Sequence, residues 1–420
     1  MVAPFDTARS PPAAHGIVSV LSRDEVAALP RWRHSFASER KDHRYYELVE
    51  DTLPDGFDYR YFALRNAQGD VVAIQPFFLM HQDVVAASAA WCRGLVGAIR
   101  SAWPGFLRIR TMMVGCVAGE GHLDAENEAS GREHAEQLAA AIVPQAKALG
   151  ASLIVLKEFP ARYRHTLQPF VDRGFVRIPS MPMTRLNIEY ADFNQYMRTA
   201  LSRGARDKLR RKFRAAARAE PIAMSVVVDA SPYSAQIHSL YSNVHARSGL
   251  RFEKLTEVYL SRIGRAMPDK VRFFVWHQGA RLIAFNLCLL EREGFCSEYV
   301  GFDYDVAFDI GLYAYIVRDM MSWGMTNGLK WFRSTALNYD PKRHLRHVLD
   351  PLDLYVRHSS ALLNPLLRFV LPLLEPTRRD PVLPHFPNYR DLWGDSSQQS
   401  APGERPNHTS GALAEGAPKS

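Results

Sequence analysis

A chain of 420 residues, 47% of them apolar, is long enough for two domains with cores of their own and too polar to be fibrous or wholly membrane-embedded. Its formal charge of +8 calls for an acidic partner, with CoA phosphates, a carrier protein, RNA and anionic lipid all compatible. The four cysteines are scattered without metal-ligand spacing, which excludes a zinc module. Cys288 and Cys296 sit in apolar runs as small buried residues, fitting a reducing, cytoplasmic setting.

In chain order, residues 1–16 are rich in Pro and Ala and read as disordered. They have no basic region followed by an apolar stretch, so no secretory leader is expected. "YFALRNAQGDVVAIQPFFL", from Tyr61, predicts a strand, a tight turn at Gly69 and a second strand. "AASAAWCRGLVGAIRSAWPGFLRIR" follows. It interleaves Trp91, Leu95, Val96, Ile99 and Trp103 with Arg93, Arg100, Arg108 and Arg110. That composition suits a helix lying at a membrane interface, or one covering a core, and predicts peripheral contact with an inner membrane or a groove for a long acyl chain. A strand in "FLRIRTMMVGC", a helix from Arg132 to Leu149 and a strand in "GASLIVLKEF" complete the first half.

The second half repeats this order. "FFVWHQGARLIAFNLCLL", from Phe273, is again a hairpin, with Gly279 at its turn. "GFCSEYVGFD" is a strand, a helix runs from about Gly311 to Thr326, and "GLKWFRSTAL" holds the last strand. Duplication is therefore expected, with domains over 17–185 and 190–392, a boundary between Pro182 and Phe193, and a disordered tail from Asp395 to Ser420. "ALLNPLLRFVLPLLEP" is too short to span a bilayer and is broken by Asn364, Pro365, Arg368 and Pro372, so it predicts an interfacial or core segment.

Between Arg203 and Arg218 stand eight Lys or Arg and one acid, Asp207. Ala205, Leu209, Phe213 and Ala216 or Ala217 form one apolar stripe, so the stretch predicts a helix that docks by a narrow face. Its cations are either simply solvated or bind an anion. DNA reading is not expected, because no helix-turn-helix, zinc finger or heptad region accompanies them. The chain also lacks a G-x-S-x-G elbow, a Walker loop, a zinc motif and a strand followed by G-x-G-x-x-G, which excludes the common hydrolases, P-loop enzymes and dinucleotide enzymes.

The lead-in "SRGARDKLRRKFRAAAR" is followed by the helix "IHSLYSNVHARSGLRFEKL" and the hairpin "VRFFVWHQGARLIAFNLCLL". Then come "YVGFDYDVAFDIGLYAYIVRDMMSWGMTNGLKWFRS" and "NYDPKRHL". Together these resemble the GNAT superfamily of acyltransferases, in particular the tandem-domain branch that contains Fem-type peptidoglycan aminoacyltransferases and bacterial predicted N-acyltransferases. The resemblance implies an α/β (α+β) fold of two tandem GNAT-like domains, each a mixed, mostly antiparallel sheet flanked by helices. It implies transfer of an acyl group from a thioester, acyl-CoA or acyl-carrier protein, to an amine, with no permanently bound cofactor. The donor arm would pair with the splayed strand at Tyr299, Val300 and Gly301, and its phosphates would meet the helix start at Gly311 and Leu312, with Lys342 nearby.

"YDVAFDIGLY" departs from the family's phosphate loop, and Asp305 and Asp309 would repel phosphate. Within the resemblance, Glu298 is the candidate base, Asn338 polarises the carbonyl, Tyr339 protonates the thiolate, and His245 and Arg247 line the acceptor site. The same residues have plainer readings as solvated strand, turn and helix-surface positions. A Fem-type enzyme using aminoacyl-tRNA is the first alternative, although the long helical tRNA arm of those enzymes is absent from the sequence. A non-catalytic protein binding a lipid or amine is the second.

Overall fold

The computed structural model describes residues 18–83, 108–216, 220–248, 252–307 and 311–394. The amphipathic segment expected over 86–110 lies almost wholly outside these residues, as do both expected disordered ends.

Strands β1 (Val18–Leu21), β2 (Asp58–Arg65), β3 (Val71–Asp83), β4 (Arg108–Val114), β5 (Leu153–Pro160) and β6 (Val176–Pro179) belong to one seven-stranded sheet. Strands β8 (Ile222–Val227), β9 (Val271–Gln278), β10 (Arg281–Leu290), β11 (Gly294–Phe302), β12 (Trp331–Ser334) and β13 (Val348–Asp350) belong to a second. The remaining strands, β7 (Met183–Asn187) and β14 (Leu352–His358), are exchanged. The first sheet runs β1-β2-β3-β4-β5-β14-β6 and the second β8-β9-β10-β11-β12-β7-β13.

Strand β7 follows the first-half strands in sequence yet pairs antiparallel with β12, Trp331 opposite Asn187, and with β13. Strand β14 comes from the far end of the chain and lies between β5 and β6, with Val356 opposite Val155 and Val176. The duplication read from the sequence is thus present strand for strand, but the boundary expected between Pro182 and Phe193 runs through an exchanged strand. Neither contiguous segment, 17–185 or 190–392, holds a whole sheet.

Both hairpins turn where expected, at Gly69 (φ 90°) and Gly279 (φ 57°). In each half one helix fills the crossover between the parallel strands: α3 (Glu128–Ala148) between β4 and β5, and α10 (Leu312–Thr326) between β11 and β12. Leu312, Tyr315, Ile316 and Met320 of α10 meet Phe274, Trp276 and Phe295, the apolar face its spacing predicted. The opposite faces are covered by α2 (His43–Thr52) in the first half and by α7 (Ser234–Arg247) and α8 (Glu257–Ala266) in the second. Helix α2 packs on α8, so one core containing Tyr45, Tyr61, Phe78, Leu240, Tyr259 and Leu287 runs through both halves.

The basic stretch forms α6 (Arg203–Ala216). Leu209 is buried, with Ala205 and Phe213 packed beside it, against Tyr196, Ala314, Val317 and Met321, while Arg203, Lys208, Arg210, Arg211 and Arg214 are exposed. Among the described residues no helix is long and apolar enough to cross a membrane.

Candidate functional site: the gap between two parallel strands

Strands β11 and β12 pair in parallel for four residues only, from Gly294 opposite Trp331 to Ser297 opposite Ser334. Beyond that point β11 continues to Phe302 on β10 alone, while the chain after β12 turns away through Leu337 (φ 72°) and Asn338 (φ 52°). Among the described residues, Glu298–Phe302 therefore have a strand edge without a strand partner on the β12 side.

The first half has the corresponding divergence. Strands β4 and β5 pair from Thr111 to Val114 and then part, but there the chain fills its own gap. The loop after β4 folds back so that Gly121 N donates to Glu158 O at 3.2 Å, and Lys157 Nζ donates to Gly119 O at 2.8 Å. Only glycine fits, since a Cβ at Gly121 would stand 2.7 Å from both Lys157 O and the Phe159 ring. Of two equivalent gaps, one is plugged by backbone and, among the described residues, the other is left open at its strand edge.

Glu298 lies at the inner end of the open edge. Its side chain is buried: Arg40 Nε donates to Oε1 at 2.7 Å and Lys41 Nζ lies 2.9 Å from Oε2. Both cations come from the first half, just before α2. Lys41 also donates to Ala118 O at 2.9 Å, which ties the plugging loop to β11. The Arg40 guanidinium further engages Glu120, and Glu291 at 2.8 Å. Arg333 on β12 reaches Glu291 at 2.8 Å, Asp350 at 2.7 Å and Glu120 at 3.3 Å. Burial alone would raise the Glu298 carboxyl pKa, but Lys41 and Arg40 hold it below its ordinary value, so the group stays ionised.

The sequence reading placed Glu298 as an accessible base or a solvated charge, and the structure shows a buried, doubly ion-paired carboxylate. Arg40, Lys41, Glu120, Glu291 and Arg333 were not anticipated. "ERKDHR" around Arg40 looks like a solvated charge run, and its partner Glu298 is 258 residues away.

Along the edge, Tyr299 is half-buried and its hydroxyl donates to Glu253 Oε1 at 2.8 Å. Val300 is half-buried and Gly301 is buried against α7, where a Cβ would stand 2.6 Å from the Leu240 carbonyl carbon and 2.7 Å from Tyr241 N. On that helix, His245 stacks at an angle 5.6 Å from the Tyr241 ring, its Nε2 buried without a partner. Arg247 is exposed, its guanidinium 3.7 Å over the Tyr304 ring.

Past the edge, Gly311 adopts φ 61° at the start of α10, and no side chain caps that helix. The side chain of Lys212 on α6 rests on Gly311, its methylenes 3.1 Å from where a Cβ would be. Leu312 is fully buried and faces the core rather than the loop.

The tip after β12 is polar but largely committed to structure. Asn338 is exposed and opens the short helix α11 (Tyr339–His344). Tyr339 is buried among Leu349, Leu383 and Phe386, with its hydroxyl donating to Pro182 O at 2.8 Å, and burial raises its pKa. Lys342, expected near a phosphate, is buried beneath the turn and donates to the carbonyls of Thr335 and Leu337, with burial lowering its pKa to about 7. Its neighbour Arg343 instead lines a pocket of about 200 Å³ with Ser202, His344, Arg346, His347 and His385. Glu298 and Tyr339 are thus held by two separate sets of partners, while Asn338 is exposed at the turn. Among the described residues no group of three or more His, Cys, Asp or Glu is placed to hold a metal ion.

Residues 203–343, which include the parted parallel strands, the crossover helix between them and the turn beyond, match the family described as "Acetyltransferase (GNAT) domain". No curated protein matches the chain. Among solved structures it is similar to the C-terminal domain of a putative lysylphosphatidylglycerol synthetase from Agrobacterium fabrum. That match has 12% identity and a TM-score of 0.49, over 85% of this chain and 97% of that one. It is also similar to FemX, with 11% identity and a TM-score of 0.47, over 84% and 99%. A tandem GNAT protein from the clavulanic acid biosynthesis pathway gives 11% identity and a TM-score of 0.45, over 82% and 99%.

Proposed function

We propose that the chain is an N-acyltransferase that moves an acyl group from a thioester, on CoA or a carrier protein, to an amine, and that the chemistry takes place at the open edge of β11. The observation that carries this reading is the parting of β11 and β12 after Ser297 and Ser334, set against the plugged gap of the first half. An extended donor arm laid along Glu298–Phe302 gains backbone hydrogen bonds that no strand among the described residues supplies. The donor's anionic end then reaches the start of α10, where helix N–H groups, Lys212 and the exposed cations of α6 offset Asp305. Strand β11 so placed brings the thioester carbonyl to the exposed Asn338 tip. The amine nitrogen attacks that carbonyl carbon, the N–C bond forms, the C–S bond breaks, and the amine's proton ends on the thiolate. Glu298 acts as a positioning residue, fixing Arg40 and Lys41 as a cationic floor at the inner end of the gap.

The test is to incubate the purified chain with short- and long-chain acyl-CoA and a panel of amines. Thiol release and product mass are followed, together with hydrogen exchange of the 298–302 amides with and without CoA. Thiol release matched by an acylated amine, with protection confined to that edge, is the expected result. Turnover only with aminoacyl-tRNA would replace the thioester donor by an ester one. Protection of the edge without turnover of any donor would make the chain a binding protein.

A further inference from the structure

Helix α12 (Asn364–Leu374), "NPLLRFVLPLL", is docked with its apolar side outward. Its inner side is fixed by Asn364, which donates to Gly174 O at 2.9 Å and accepts from His358 N at 3.0 Å, and by Leu367 and Leu371 packing on the shared core. The outer side carries Leu363, Leu366, Phe369, Val370 and Leu373, preceded by Leu362, which is 91% exposed. Phe369 is 78% and Leu373 76% exposed. Apart from these six, only Phe252 and Val258 are exposed large apolar side chains among the described residues, so the apolar surface is concentrated on this one helix. A contiguous patch of this kind, left in water, is a docking surface or an aggregation liability.

The charge around the patch selects the partner. From Asp353 to Asp380 the sequence has four arginines, Arg357, Arg368, Arg378 and Arg379, and three acids: Asp353, buried against Arg164, Asp380, which caps the turn at Val382 and Leu383, and Glu375. Glu375 is buried and held by Arg378 at 3.0 Å. Arg368 is exposed within the helix, and Arg379 folds back to donate to Leu373 O. Leucine and phenylalanine facing outward amid arginines, on a helix too short to span, is the arrangement that lies in the headgroup region of an anionic bilayer.

We propose that α12 docks the protein on the surface of an anionic membrane, with Leu362, Leu366, Phe369 and Leu373 entering the acyl-chain boundary and the surrounding arginines meeting lipid phosphates. The inference stands independently of the acyl-transfer reading. It is tested by co-flotation of the full chain with phosphatidylglycerol–phosphatidylcholine vesicles and with pure phosphatidylcholine vesicles. The expected result is binding to the former that weakens with salt, little binding to the latter, and partitioning about a hundredfold weaker for the Leu366→Ser, Phe369→Ser double variant. Because both positions are exposed, the variant keeps the wild-type melting temperature, which separates lost docking from lost folding. Absence of binding to the phosphatidylglycerol vesicles, or equal binding by the double variant, overturns the proposal. So does a wild-type dimer that the double variant turns into a monomer, since a second copy would then be what covers the helix.

Discussion

Arg40 Nε donates to Glu298 Oε1 at 2.7 Å, joining residues 258 positions apart and both halves of the molecule at the inner end of the open gap. Both side chains are almost wholly buried, and the same guanidinium serves Glu120 and Glu291. Replacing one partner of a buried pair strands the other's charge. Arg40→Met is therefore expected to cost about 3–5 kcal/mol of unfolding free energy, measured by urea denaturation. Adding Glu298→Gln to that variant should cost less than Glu298→Gln costs alone, and strict additivity of the two changes would show that the pair is not formed.

The network also sets an acid limit. Desolvation of the buried Glu298 and the half-buried Glu291 would raise their pKa values, but Lys41, Arg40 and Arg333 hold them below 4.5, and Glu120 well below it. A lowered carboxyl pKa contributes stability that is complete above the unfolded value and is lost as pH falls through the folded one. Unfolding free energy should decline steeply below about pH 4.5 in the wild type and less steeply in Arg40→Met. Matching acid profiles for the two proteins would disprove the coupling.

Lys342 gives a slope of the same sign in an alkaline window. Burial lowers its ammonium pKa to about 7, so between about pH 7 and pH 10 the unfolded chain holds a proton that the folded chain has released. Stability is expected to rise across that window by up to about 1.4 kcal/mol per pH unit from this group. Lys342→Met should flatten the rise while leaving two carbonyls, Thr335 and Leu337, without their donor. Urea midpoints at about pH 7 and about pH 9 decide it.

Gly301→Ala drives a methyl into the backbone of α7, 2.6 Å from the Leu240 carbonyl carbon, where no flexible side chain can yield. A cost of about 1–3 kcal/mol is expected, with a rise in KM for the acyl donor as β11 and its edge shift. An unchanged KM would remove the β11 edge from donor binding.

Tyr339→Phe deletes the donor to Pro182 O within a packed cluster and is expected to cost about 1–3 kcal/mol. A large fall in kcat with stability intact would instead assign this hydroxyl to the leaving thiolate.

Local patterns carried much of the architecture. The two hairpins, the apolar face of α10 and the stripe of α6 are periodicities of two or of 3.6 residues, set by neighbours along the chain. The candidate site was legible as a strand, Glu298–Phe302, but not as chemistry. Glu298 acquires its character from Arg40 and Lys41, which reach it only after two sheets and α2 have assembled, and no spacing in "ERKDHR" records that. Nor does a strand's own pattern state which sheet it joins: "MTRLN" and "LDLYVRH" read as ordinary strands, and only the partners they find make them exchanged.

That reciprocal exchange has a biosynthetic consequence. A ribosome delivers residues 18–179 long before Leu352–His358, so the first sheet emerges with an unsatisfied slot between β5 and β6 that waits for β14 from the far end of the chain. Cutting the gene at the middle would therefore yield two fragments, each with a vacancy that only the other can fill, and neither is expected to be soluble until both are expressed together.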